Sequence, residues 1–180
     1  MEIRTRTIER LRDALIESGS RKDAVTSSAY RTLARRGLLS NEEKEAIARV
    51  EIVAEAMFLV MAADKEITDT ELAALKGAIV GLAGSTLNDD IVRVLVENYA
   101  LRLQDEGLEV RLKALAASLS QPDEAESVFS LASAVALADD QLAATESAVL
   151  DSFQKALKLS DAQVARILGE LRSDAEAPPV

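Results

Sequence analysis

The chain has 180 residues, of which 48% are apolar and 29% are charged, and it contains no Cys, no His and no Trp. This length predicts a single domain that can bury an ordinary hydrophobic core. The composition excludes disulfides, thiolate or imidazole metal ligands and nucleophiles that a His activates.

The charge balance of 21 basic and 31 acidic residues gives a formal net charge of −10. A polyanion would be repelled, so we expect no binding to nucleic acid. The N-terminus is charged and has no apolar run, which predicts no secretory signal and a cytoplasmic protein. The most apolar window, 46–63, contains Arg49, Glu51 and Glu55, which are too many charges for a membrane span.

Apolar residues recur at spacings of three and four along a chain with few Gly and Pro, which predicts an all-α fold of about eight or nine helices. The first helix is expected at about 3–18 and the second at about 24–36, ending before Gly37. Ser40 and Glu43 form a capping box that opens a third helix, which runs to about Ala63. Its apolar stretch, 52–61, predicts a helix at the centre of the core.

The remaining helices are predicted from their caps and breakers. The fourth begins near Thr68 and fades through its glycines, and the seventh has Pro122 in its first turn. The ninth begins at Ser160, which caps with Gln163, and ends at about Leu171. The fifth, sixth and eighth helices are expected at about 88–104, 108–119 and 144–158. Residues 172–180 are predicted to be a disordered tail.

The chain contains a weak internal repeat at an offset of 75 residues. Segment 63–75 pairs with segment 138–150, and six of the thirteen pairs are identical, including Asp64 with Asp139 and Glu71 with Glu146. Two copies are too few for a solenoid. Each copy instead predicts two helices joined by a short turn, with two carboxylates at the corner.

The paired carboxylates have two interpretations from the residues alone. Glu71 is the expected capping partner of Thr68, and an Asp in a turn commonly bonds its own backbone. Alternatively, each corner holds a divalent cation, because hard cations take several oxygen ligands from a flexible turn. The candidate ligands are Asp64, Glu71, Asp139 and Glu146, with Glu66 and Asp140 as additional donors. Their spacing is not that of an EF-hand.

The segment from Phe58 to Asp64, followed by Thr70, Glu71 and Leu75 and repeated near Asp139 and Glu146, resembles the TerB-like family of tellurite-resistance proteins. The resemblance covers about 45–171 and leaves 1–44 as an N-terminal helical extension. It implies an all-α domain with two pseudo-repeated halves, an acidic site for a divalent cation such as Ca²⁺ or Mg²⁺, and a stress or tellurite-resistance role alongside membrane partners. The family has Gly after the first Asp, where this chain has Lys65 and Asp140.

We expect no catalysis, because no nucleophile, phosphate loop or second chemical group accompanies the carboxylates. The alternative function is a metal-free adaptor that binds a protein partner, including a membrane-associated one, through its acidic face or its N-terminal amphipathic helix. A homodimer also stays open. The three phenylalanines, Phe58, Phe129 and Phe153, are predicted to lie in the core.

Overall fold

The structure is a computed structural model that describes residues 35, 37–64, 67, 69–119, 122–137 and 144–176. Within these residues it contains seven α-helices and no strand. The helices are α1 (Asn41–Met61), α2 (Asp69–Leu82), α3 (Asp89–Glu106), α4 (Leu108–Ser118), α5 (Pro122–Ala136), α6 (Ala144–Leu157) and α7 (Asp161–Glu176). A 3-10 turn, Ala62–Asp64, continues α1.

Helix α1 begins with the capping box that the sequence predicts. The Ser40 hydroxyl accepts a hydrogen bond from the Glu43 backbone N–H, and the Glu43 carboxylate accepts one from the Ser40 backbone N–H. These two bonds satisfy backbone donors that the first turn of a helix leaves without partners. From Val53 to Met61 every residue of α1 is buried, so this helix forms the centre of the core as predicted.

The other helices pack around α1. Its most extensive contact is with α5, and it also packs against α2, α3, α4 and α6. An amphipathic helix would bury one face, but the segment 53–61 of α1 is covered on all sides, in agreement with its apolar sequence, in which Glu55 is the one charged residue. The largest side chains of the core come from α1 and from the helices that surround it.

Helices α3 and α4 are joined directly at Gly107. Asn88 caps α3 by accepting a hydrogen bond from the Ile91 backbone N–H. Gly107 has φ 81° and ψ 158°, a conformation that a residue with a Cβ rarely adopts. A glycine at this position therefore allows α4 to begin one residue after α3 ends.

Helices α5, α6 and α7 form the other side of the core. Phe129 of α5 and Phe153 of α6 are buried, with their ring centroids 6.1 Å apart. Helix α7 begins with the predicted reciprocal cap of Ser160 and Gln163. The amide of Gln163 also donates a 2.7 Å hydrogen bond to Glu126 of α5, which links α7 to the helix beneath it.

Two predicted helix ends differ from the structure. The predicted fourth helix corresponds to α2, and it does not end gradually at its glycines. Helix α2 is continuous through Gly77 and Gly81 to Leu82, and the residues Ala78, Ile79 and Leu82 of this part are buried. Helix α7 extends beyond the predicted end at Leu171, and residues 172–176 are helical. Residues 177–180 lie outside the described part.

The two predicted N-terminal helices lie outside the described residues except for Arg35, and of the predicted extension 1–44 the structure describes 35 and 37–44, where α1 already begins at Asn41. Arg35 is helical and Gly37 has φ 66°, which agrees with a helix that ends before this glycine. The three phenylalanines are buried, with exposed fractions of 3% for Phe58, 1% for Phe129 and 0% for Phe153, so this prediction is confirmed.

Candidate functional site

The predicted cation ligands lie at the ends of helices, and the structure describes only part of them. Asp64 is the last residue of the 3-10 turn, Glu71 lies half-buried in the first turn of α2, and Glu146 belongs to the first turn of α6. The side chains of Asp64 and Glu146 lie outside the described part, as do the whole residues Glu66, Asp139 and Asp140. The acidic set therefore stays a prediction.

The backbone nevertheless brings two of the acidic segments to neighbouring elements. The 3-10 turn that ends at Asp64 packs against α6, the helix that carries Glu146 near its start, with Cα atoms within 8 Å. Helix α2, which carries Glu71, also contacts α5. The turn that ends at Asp64, in the first predicted corner, thus lies next to the helix that carries Glu146, in the second. Among the described residues no three acidic side chains form a group that could hold a metal ion.

A second group of charges, which the sequence analysis did not identify, is buried between α1, α3 and α4. We call it the buried ionic cluster, and it consists of Glu51, Glu55, Arg102 and Arg111. Glu51 and Glu55 are 3% and 2% exposed, and Arg111 is 5% exposed. Charged residues are almost never this deeply buried unless they are paired.

Glu55 is the centre of the buried ionic cluster. Arg111 donates to it twice, from Nε to Oε1 at 2.8 Å and from Nη2 to Oε2 at 3.0 Å. Arg102 Nη1 lies 3.2 Å from Glu55 Oε2 and 3.7 Å from Glu51 Oε1. The remaining terminal nitrogen of Arg111, Nη1, donates at 2.9 Å to Glu106, whose side chain reaches solvent. The two-point pairing of a guanidinium with a carboxylate fixes direction as well as distance.

Two pKa shifts record the electrostatics of this region. Burial opposes the charge on Arg111, but its hydrogen bonds to Glu55 and Glu106 outweigh burial and raise the pKa of Arg111 above its ordinary value. Burial, reinforced by the negative charges of Glu51 and Glu55, raises the pKa of Tyr99 well above its ordinary value. The Tyr99 hydroxyl is buried beside the cluster and has no hydrogen-bond partner among the described residues.

The sequence contained a signal for the buried ionic cluster. Glu55 lies within 52–61, a stretch of helix that is otherwise apolar and so offers no solvent-facing stripe for a carboxylate. A carboxylate in such a stretch requires a buried cation, and the structure supplies Arg102 and Arg111. From the sequence alone, the charges of this helix exclude only a membrane span. That exclusion agrees with the structure, since no described helix is long and apolar enough to span a bilayer.

The fold defines the class of this protein as an all-helical domain built around one buried central helix. A family model described as "Tellurite resistance protein TerB" matches residues 49–168. Because this match covers more than half of the chain, the protein belongs to the TerB family, which confirms the resemblance predicted over 45–171. No curated protein and no solved structure matches the chain.

Proposed function

We propose that this chain is a non-catalytic helical domain of the TerB family that binds a divalent cation, Ca²⁺ or Mg²⁺, at its acidic helix corners. Its role is in tellurite resistance or a related stress response in the cytoplasm. The observation that carries the proposal is the packing of the 3-10 turn, which ends at Asp64, against the helix that contains Glu146.

The chemistry of the donors fits a hard cation. Six carboxylates are available near the two corners, and such cations take six or more oxygen ligands from flexible segments. The proposed ligands are Asp64, Glu71, Asp139 and Glu146, with Glu66 and Asp140 as further donors. Lys65 stands in the first segment, where its ammonium competes with a cation, so the second corner is the stronger binder.

The pseudo-repeat belongs to the same proposal. Helices α1 and α2 correspond to α5 and α6, and α1 and α5 form the most extensive helix contact of the described residues. The two halves also contact each other through the 3-10 turn with α6 and through α2 with α5. This arrangement supports two equivalent halves that bring their acidic corners to one region of the surface.

The test is a thermal melt of protein stripped with a chelator, with and without millimolar Ca²⁺, Mg²⁺ or Mn²⁺. A cation at about 100 times its Kd adds roughly 2.7 kcal/mol, which corresponds to about 5–10 °C in a domain of this size. The variant Asp139→Asn with Glu146→Gln removes two ligands and should lose this shift. The matched control, Asp105→Asn with Asp151→Asn, removes the same charge from exposed positions and should keep it.

The absence of a cation-dependent rise in Tm would refute the proposal. If no cation raises the Tm of the wild-type protein, the acidic corners do not bind the ions tested. In that case the double variant should itself be more stable than the wild type, because it relieves repulsion between like charges. The acidic face would then be a surface for a protein partner, and pull-downs with the full chain would follow.

A further inference from the structure

We propose that Glu55, Arg102 and Arg111 are positioning residues, which fix α4, and through α4 the helix α6, relative to the end of α1. Nothing in the family match assigns them a role. Their consequence for cation binding rests on the function proposed above, whereas their effect on helix position does not.

Helix α4 is joined to α1 by a pair of hydrogen bonds between charged side chains. The contact between Arg111 and Glu55 uses two parallel hydrogen bonds of 2.8 and 3.0 Å. A shift of α4 along its axis by one residue is about 1.5 Å and would break both bonds. Apolar contacts have no direction and tolerate such a shift, whereas a buried carboxylate without its partner does not. The charge pair therefore selects one position of α4.

Helix α3 also contacts Glu55. Arg102 of this helix forms an ion pair with Glu55, with Nη1 3.2 Å from Oε2, the oxygen that also accepts a hydrogen bond from Arg111 Nη2; Arg102 Nη1 itself makes no hydrogen bond within the described part of the chain. Glu55 thus receives one guanidinium from each of two consecutive helices, on either side of Gly107. A single carboxylate at the centre of the core therefore holds the whole α3–α4 pair.

Contacts between helices connect the buried ionic cluster to the acidic corner. Helix α4 packs against α6, and α6 packs against the 3-10 turn that continues α1. These contacts close a circuit that starts and ends on α1. Because α4 is fixed by Glu55, the position of α6 against the turn is fixed as well, and α6 carries the proposed ligand Glu146.

The experiment compares two variants of the full chain with one control. Arg111→Met alone removes the bidentate partner of a buried carboxylate. Glu55→Met with Arg111→Met removes both charges, keeps the net charge, and leaves Arg102 opposite Glu51. The control is Glu109→Gln with Lys113→Gln. It removes an exposed ion pair from α4, the helix that carries Arg111, and the two side chains are 83% and 70% exposed.

Stability separates charge balance from positioning. We expect Arg111→Met to lower the Tm by about 10 °C, because it leaves buried charge without compensation. We expect the double variant to return to within about 3 °C of the wild type or above it, because apolar replacement of a buried pair is commonly neutral or stabilising. A double variant as unstable as Arg111→Met would overturn the inference, since the pair would then serve stability itself.

Hydrogen exchange reports how firmly α6 is held, because backbone amides exchange when a helix opens locally. In the double variant the amides of α6 should exchange about tenfold faster than in the wild type, despite the recovered Tm, while the control is unchanged. If the amides of α6 exchange at the wild-type rate in the double variant, the inference is overturned.

The cation experiment then gives an independent result. If the wild type shows no cation-dependent shift, the proposed function is wrong and hydrogen exchange still decides the positioning. If the wild type and the double variant bind Ca²⁺ equally, the link between the cluster and the corner is overturned.

Discussion

Replacing Tyr99 by Phe should make the protein more stable, although it removes a polar group from a fully buried residue. The hydroxyl has no hydrogen-bond partner among the described residues, and the ring lies 6.0 Å from that of Phe58. A buried polar group without a partner destabilises the fold by about 1–3 kcal/mol, so its removal is favourable by that amount. The packing contacts of the lost oxygen reduce this gain by less than about 1 kcal/mol. The net gain is about 1 kcal/mol, or a rise in Tm of about 2–4 °C.

Two melts and one titration test this prediction. Tyr99→Ala removes the ring as well and should cost about 3–5 kcal/mol, which separates the contribution of the ring from that of the hydroxyl. The folded-state pKa of Tyr99 lies above its ordinary value of 10.0, so the folded protein holds the proton more tightly than the unfolded chain. Stability should therefore fall as pH rises above about 10, and less so in Tyr99→Phe. A Tm below that of the wild type for Tyr99→Phe would refute the reasoning and show that the hydroxyl is bonded.

Three further predictions concern the turn, the aromatic pair and the surface carboxylates. Gly107→Ala should destabilise the fold by about 1–3 kcal/mol in urea unfolding, because the cost is conformational: nothing lies within 4 Å of the added Cβ. A double-mutant cycle of Phe129→Leu and Phe153→Leu should give a coupling of about 0.5–1.5 kcal/mol, and no coupling would mean that the ring contact adds nothing beyond burial. The pKa values of Glu106 and Glu126 are lowered from 4.5, the first by a hydrogen bond from Arg111 and the second by bonds from Gln163 and Arg166. Their contribution is present above pH 4.5 and is lost as pH falls below it, so the decline in urea midpoint on acidification should be smaller in Glu126→Gln.

Local signals predicted most of the helices. The capping residues Ser40 and Ser160 mark helix starts within one residue, because a capping box depends only on side chains three positions apart. The extent of α2 was harder to predict. Gly77 and Gly81 lower helix propensity by about 1 kcal/mol each, but burial of Ala78, Ile79 and Leu82 outweighs that cost.

The buried ionic cluster could not be predicted as a contact from the sequence. Glu55 and Arg111 are 56 positions apart, and no periodic pattern reports which helices will face each other. The sequence does show that Glu55 lies in an otherwise apolar stretch of α1, but only the three-dimensional packing shows which cations reach it. The predicted acidic corners depend on turns of which the structure describes only part.

The most direct measurement of the cation proposal is paramagnetic broadening of backbone amide resonances by Mn²⁺, added in small amounts to the chelator-stripped chain. If the acidic corners bind the ion, amides of the 3-10 turn, the start of α2 and the start of α6 should broaden first, and Ca²⁺ should reverse the effect. Broadening confined to the exposed pair Asp89 and Asp90, or spread evenly over the acidic surface, would contradict a specific cation-binding site at these corners.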